Sequence, residues 1–133
     1  MFATFDRAVA GGIIGIGLLH ILVTPLVYQQ WALPAMWFLS AGLALAYAGA
    51  LNLLRERYAI VAPGLRYVCL AANLAMAGFC AGMVAVMGAR ALRSPQIVLL
   101  FTLVVCATVF SCKRPPRLGS IQDEIKSQPS RAA

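Results

Sequence analysis

The chain has 133 residues, 62% of them hydrophobic and only 11% charged, against about half and about a quarter in soluble domains. A water-soluble fold of this length has too little interior to hide so much apolar surface, which excludes a soluble globular domain and points to lipid. The net charge of +7 does not describe a nucleic-acid surface, because Lys and Arg are missing from four long apolar stretches and collect between and after them. The tail after Cys112, where five of them lie, has no aromatic residue interleaved for base stacking.

A helix needs roughly 20 apolar residues to cross the hydrocarbon core, and four stretches qualify. The first covers 8–28. The preceding MFATFDRAVAGG has one basic residue beside an acid and leads into an apolar run too long for a secretory signal, so an uncleaved first helix is expected. The second covers 35–54, opened by Pro34. The third covers 67–88, after Pro63 and Gly64. The fourth covers 95–112, with Ser94 placed to cap it and Pro95 at the first helical position, where a missing N–H costs nothing.

The links at 29–34 and 89–94 are short, so consecutive helices form hairpins and no soluble domain is inserted. The expected fold is an all-α, integral-membrane four-helix bundle, up-down-up-down. Residues 113–133 form a basic tail, in which Ser120 and Asp123 resemble a capping box and Ile121 and Ile125 share a face. That is either a short surface helix or a disordered segment.

Basic residues set the expected orientation. Arg7 precedes the first helix, Arg55, Arg57 and Arg66 lie between the second and third, and five follow Cys112. The opposite side has only Arg90 and Arg93. Nine against two puts both termini in the cytoplasm of a bacterial inner membrane. Tyr28, Trp31 and Trp37 then mark the outer interface, and Tyr58 and Tyr67 the inner one.

With the spans drawn this way, no Asp, Glu, Lys or Arg lies inside a helix. An ion-coupled transporter needs an embedded carboxylate, so that function is disfavoured. The one intramembrane ionisable residue is His20, about midway along the first helix, and such a residue is a functional candidate by default. Three roles fit it: a haem ligand shared with a symmetric copy, a proton relay or quinone contact, or a packing residue bonded to Ser40 or Thr102. Thr24 stands one turn on. Pro25 leaves the Ile21 carbonyl unpaired and predicts a kink that Thr24, water or a ligand can exploit.

Asn52 and Asn73 differ in depth by roughly 6 Å, close enough for an interhelical amide contact, with a substrate-binding amide pair as the other reading. Small residues recur at four-residue spacing: Gly11 and Gly15; Gly42, Ala46 and Ala50; Ala71 and Ala75; Gly78 and Gly82. They let helix backbones approach, within the chain or across a homo-oligomer seam for which Gly11 and Gly15 are the first candidates. The four cysteines, without a CxxC, look like packing residues. Cys69 and Cys112, at one depth, form at most a weak thiolate pair. No metal site and no nucleophile–base set is visible.

The stretches GLLHILVTP and WFLSAGLALAYAGALNLLR, within residues 17–55, join a His in the first helix to an aromatic start and a small-residue run in the second. In these features the chain resembles small four-helix bacterial inner-membrane proteins of the DoxX-like group. The resemblance implies a membrane protein that is sometimes a partner of redox enzymes, and it transfers no catalytic residue. The sequence therefore favours a non-catalytic accessory or assembly subunit of a larger membrane complex or homo-oligomer, with no cofactor. The alternative is a small redox (haem or quinone) or transport unit centred on His20.

Overall fold

A computed structural model describes residues 2–113; the capping-box segment at 120–123 and Ile125 lie outside the described residues. The described chain is all-helical: α1 (Phe2–Val27), α2 (Leu33–Tyr58), α3 (Leu65–Met87), a single turn α4 (Ala89–Leu92) and α5 (Pro95–Cys112). Every helix but α4 is long and apolar enough to cross a membrane. Large side chains such as Leu22, Leu26, Val86 and Leu99 point outward, as lipid-facing residues do where no water needs to be avoided.

Two boundaries differ from the sequence reading, with consequences for function. Helix α1 starts at Phe2 rather than at 8, and α2 runs to Tyr58 rather than 54. Asp6, Arg7, Arg55, Glu56 and Arg57 are therefore helical, as is Arg66 at the start of α3. The expectation that no charged residue lies inside a helix was wrong. Four of these residues pair with one another across α1 and α2; arginine and glutamate are good helix formers, so a charge by itself does not end a helix.

At the other connection, Gly88 closes α3 at φ 60°, the only left-handed residue among those described. Its N–H bonds the Val84 carbonyl. Pro95 occupies the first turn of α5 as expected, but Ser94 makes no side-chain cap bond; only its carbonyl joins the helix, accepting from Val98 N–H at 3.2 Å.

Consecutive long helices touch, α5 closes back on α1, and α1 and α3 face each other diagonally without contact. The apolar core is built by Val9 and Ile13 of α1, Leu45 of α2, and Val104, Ala107 and Phe110 of α5. The tightest seam is α1 against α2. A Cβ at Gly17 would lie 2.6 Å from the Ala46 nitrogen, one at Gly42 would lie 2.8 Å from the Gly17 carbonyl oxygen, and one at Gly49 would lie 2.8 Å from the Ala10 carbonyl oxygen. Only hydrogen fits at these positions, so the two backbones pack directly.

Of the glycines singled out from spacing, Gly42 alone belongs to this seam. Gly11, Gly15, Gly78 and Gly82 have nothing within 4 Å of an added Cβ; they face away from the bundle. Spacing identifies a small-residue stripe but not which side of the helix is covered. Gly17→Ala is accordingly expected to cost about 1–3 kcal/mol by overpacking, whereas Gly15→Ala should leave the monomer's stability unchanged or raised. Unfolding of both variants in mixed detergent, followed by circular dichroism, checks this; equal losses would be incompatible with the seam described.

Candidate functional site

The polar residues gather at the end of the bundle where α1 begins and α2 and α5 end. Arg55, in the last turn of α2, is only 7% exposed. A cation held there needs an opposite charge and acceptors for its N–H groups. Asp6 of α1 supplies the charge: its two oxygens accept from Arg55 Nη2 at 2.6 and 2.8 Å. Nη1 donates to the Phe110 carbonyl oxygen of α5 at 3.3 Å. The Nε–H, equally buried, has no acceptor among the described residues. Beside this pair, the exposed Arg7 grips Glu56 through Nε and Nη2 at 2.9 and 3.0 Å.

One turn earlier on α2, Asn52 faces Asn73 of α3. Their amides exchange two hydrogen bonds, Asn52 Nδ2 donating at 2.8 Å and Asn73 Nδ2 at 3.0 Å. Each amide has a second donor, and each is used: Asn52 bonds the Ala48 carbonyl oxygen and Asn73 the Ser111 hydroxyl. Ser111 in turn donates to the Ala107 carbonyl oxygen at 2.9 Å. Both asparagines and Ser111 are at most 2% exposed, so the pair is a closed interhelical clamp. Cys69 lies nearby, with Sγ donating to the Leu51 carbonyl oxygen, while Cys112 is exposed. Among the described residues no three His, Cys, Asp or Glu side chains form a group able to hold a metal.

His20 is in a different place and company from those expected. With α1 beginning at Phe2, the residue lies seven positions from the helix end at Val27, roughly 10 Å along the axis. Its Nδ1 is 2.9 Å from the Ile16 carbonyl oxygen. An oxygen that can only accept puts the proton on Nδ1, leaving Nε2 to accept from the Gln96 amide of α5 at 3.2 Å. The ring stacks on Phe38 of α2 with centroids 4.5 Å apart. A metal ion or quinone at Nε2 would have to displace the exposed Gln96.

Ser40 and Thr102, the partners expected for His20, instead donate to the carbonyls of Met36 and Val98, four residues back in their own helices. Hydroxyls do this readily where water is absent. Thr24, fully buried, does the same to the His20 carbonyl, rather than to the Ile21 carbonyl that Pro25 leaves unpaired.

Asp6, Arg55, Ser111, Phe38 and Gln96 escaped the sequence reading. A signal existed for the first two: the chain has four acids, and two of them, Asp6 and Glu56, border predicted spans beside an arginine. Gln96 and Phe38 left no comparable mark. No protein-family model, curated protein or solved structure matches this chain.

Asp6 and Arg55 are expected to behave as a unit. Asp6→Leu should destabilise the bundle by about 3–5 kcal/mol, because it strands a buried cation, while Asp6→Leu with Arg55→Met should recover most of that loss. A double-mutant cycle on detergent unfolding measures the coupling; additive losses would mean that the two side chains do not depend on each other.

Proposed function

We propose that this chain is a non-catalytic membrane subunit that works by contact through its helix faces, as an accessory or assembly component of a homo-oligomer or larger complex. The observation behind this reading is the outward direction of Gly11 and Gly15 on α1 and of Gly78 and Gly82 on α3. Ala71 and Ala75 extend the α3 stripe and are exposed too. Membrane helices associate where small residues let backbones meet, and these stripes have no such use inside the chain. Supporting it, the interior polar side chains that carry charge or a ring nitrogen are already engaged: Asp6 by Arg55 and His20 by Ile16 and Gln96. Asp6 is the carboxylate nearest to what an ion carrier requires, and both of its oxygens are taken.

Replacing Gly15 or Gly82 with Leu puts a bulky side chain on these faces without touching the α1–α2 seam. Assembly read on native gels and by crosslinking in membranes should fall for Gly15→Leu and Gly82→Leu and persist for Leu99→Ala. Unchanged assembly in all three would remove the basis for contact-driven function.

The same reading orients the chain with Arg7, Arg55, Arg57, Arg66 and Lys113 at the cytoplasmic face and Arg90 and Arg93 outside, in a bacterial inner membrane. The excess of basic residues at one end supports it. A cytoplasm-active reporter should work when fused after Val61 or Ala133 and fail after Gln30; the opposite pattern would invert the orientation.

A further inference from the structure

The chain has four acids, and their positions leave one end of the bundle without any. Asp6 and Glu56 are paired at the Arg55 end. Asp123 and Glu124 follow α5, after the chain has returned to that same side, and residues 113–133 contain no apolar run of membrane-crossing length. The opposite end nevertheless carries Arg90 and Arg93, both exposed. Neither guanidinium has a hydrogen-bond, ion-pair or ring partner among the described residues. A second copy lying parallel in the membrane brings the same two cations and no acid, so self-association does not neutralise them.

The local fold presents the two arginines together. Gly88, at φ 60°, turns the chain out of α3, and the buried Ala91 anchors the single turn α4 against the bundle. Ala91 N–H bonds the Gly88 carbonyl, Arg93 N–H the Arg90 carbonyl and Ser94 N–H the Ala91 carbonyl, each at 3.1 Å. The backbone that carries both arginines is thereby held. Residues three apart on such a turn share a face, with about 5–6 Å between their Cβ atoms. Two guanidiniums so placed can each give N–H donors to one tetrahedral oxyanion. Their depth names the oxyanion. Val86 is 88% exposed and Leu92, between the two arginines, 63%. Apolar side chains so bare belong in lipid rather than water, which sets this link at headgroup level, where the concentrated oxyanion is lipid phosphate.

We infer that Arg90 and Arg93 form a binding site for the phosphate of an anionic phospholipid headgroup, at the membrane face opposite Arg55. The lipid supplies the negative charge that the chain lacks on that side. A zwitterionic headgroup is a poorer counter-ion, because its own ammonium group already neutralises its phosphate. The site depends neither on the outward glycine faces nor on which way the chain is oriented, since anionic lipid can occupy either leaflet.

The full chain is reconstituted into vesicles holding phosphatidylglycerol or phosphatidylcholine with a diazirine on the acyl chain beside the glycerol. Crosslinks are then mapped by peptide mass spectrometry. Reading only the segment 86–96 keeps the basic residues at the other end out of the signal. Crosslinking there should saturate with rising phosphatidylglycerol and stay low with phosphatidylcholine. Arg90→Gln or Arg93→Gln should each raise the half-saturating lipid fraction about 5-fold, one cation near a membrane surface being worth about 1 kcal/mol. Arg90→Gln with Leu92→Arg keeps the net charge but breaks the shared face, and should behave like Arg90→Gln alone. Circular dichroism of each variant separates a lost signal from a lost fold. Equal crosslinking of both lipids would leave an acidic protein as the counter-charge and overturn the proposal. So would wild-type saturation by either folded single variant, or full recovery with Leu92→Arg, which would reduce the effect to general surface charge. Competition by glycerol phosphate in solution would assign the arginines to a soluble anion and overturn the lipid source.

Discussion

A guanidinium inside a bundle of apolar helices has no water to fall back on, and the placement of Arg55 constrains much of the basic end. Its Nη2 recruits Asp6 from α1 and its Nη1 the Phe110 carbonyl from α5, while Asn52, one turn before it, recruits Asn73 from α3 and Ser111 from α5. Every spanning helix is thereby tied into one polar layer. Apolar attraction does little to bring helices together in lipid, since tails are as apolar as Leu. Directional contacts of this kind, with close backbone packing, must fix which helix sits beside which. The Asp6–Arg55 pair is better understood as specifying the arrangement than as a large net source of stability, because much of its Coulomb attraction is offset by the cost of stripping water from both ions.

Backbone packing supplies the second half of that specification, and it is unevenly distributed. Gly17, Gly42 and Gly49 bring α1 and α2 into direct contact, and no comparable glycine seam joins α3 to its neighbours. Met76, Ala77 and buried Cys80 provide side-chain contact there instead. The bundle is thus an intimate α1–α2 hairpin with α5 laid against α1 and α3, stitched together by the polar layer. The outward glycine stripes fall on α1 and α3, the diagonal pair that do not touch each other.

What the sequence disclosed follows from how far each interaction reaches. Four hydrophobic runs are local facts, visible in any window of about 20 residues, and the helices stand where those runs do. Asn52 and Asn73 were legible as a pair because their depths, roughly 6 Å apart, lie within reach of one contact. Asp6 and Arg55 were not: 49 residues separate them, and each on its own looked like a charge marking the end of a span. A charge does not end a helix, but the pairing that buries these two is a tertiary fact. His20 was conspicuous from its rarity, yet its neighbours Gln96 and Phe38 depend on rotation of α5 and α2 about their axes, which four-residue spacing does not fix. The same ambiguity of rotation left open whether Gly11, Gly15, Gly78 and Gly82 serve packing within the chain or a homo-oligomer seam, for which Gly11 and Gly15 were the first candidates.

The two ends of the bundle differ in how completely their polar groups are matched, and the difference bears on where anything else can bind. At the His20 level the imidazole is satisfied on both nitrogens, but one of its partners is the exposed side chain of Gln96, which can rotate away at little cost. Around Arg55 and Asn52 the partners Asp6, Phe110, Asn73 and Ser111 are buried and the amides and the carboxylate are used, while the Arg55 Nε–H has no acceptor among the described residues. A partner helix therefore gains little by reaching into the polar layer, where it would break bonds that lipid cannot replace. Contacts that leave the layer intact are the ones open to it, and the flat glycine faces in the hydrocarbon are of that kind. They lie outside the residues that hold the fold together, which allows these faces to be altered one at a time without dismantling the bundle.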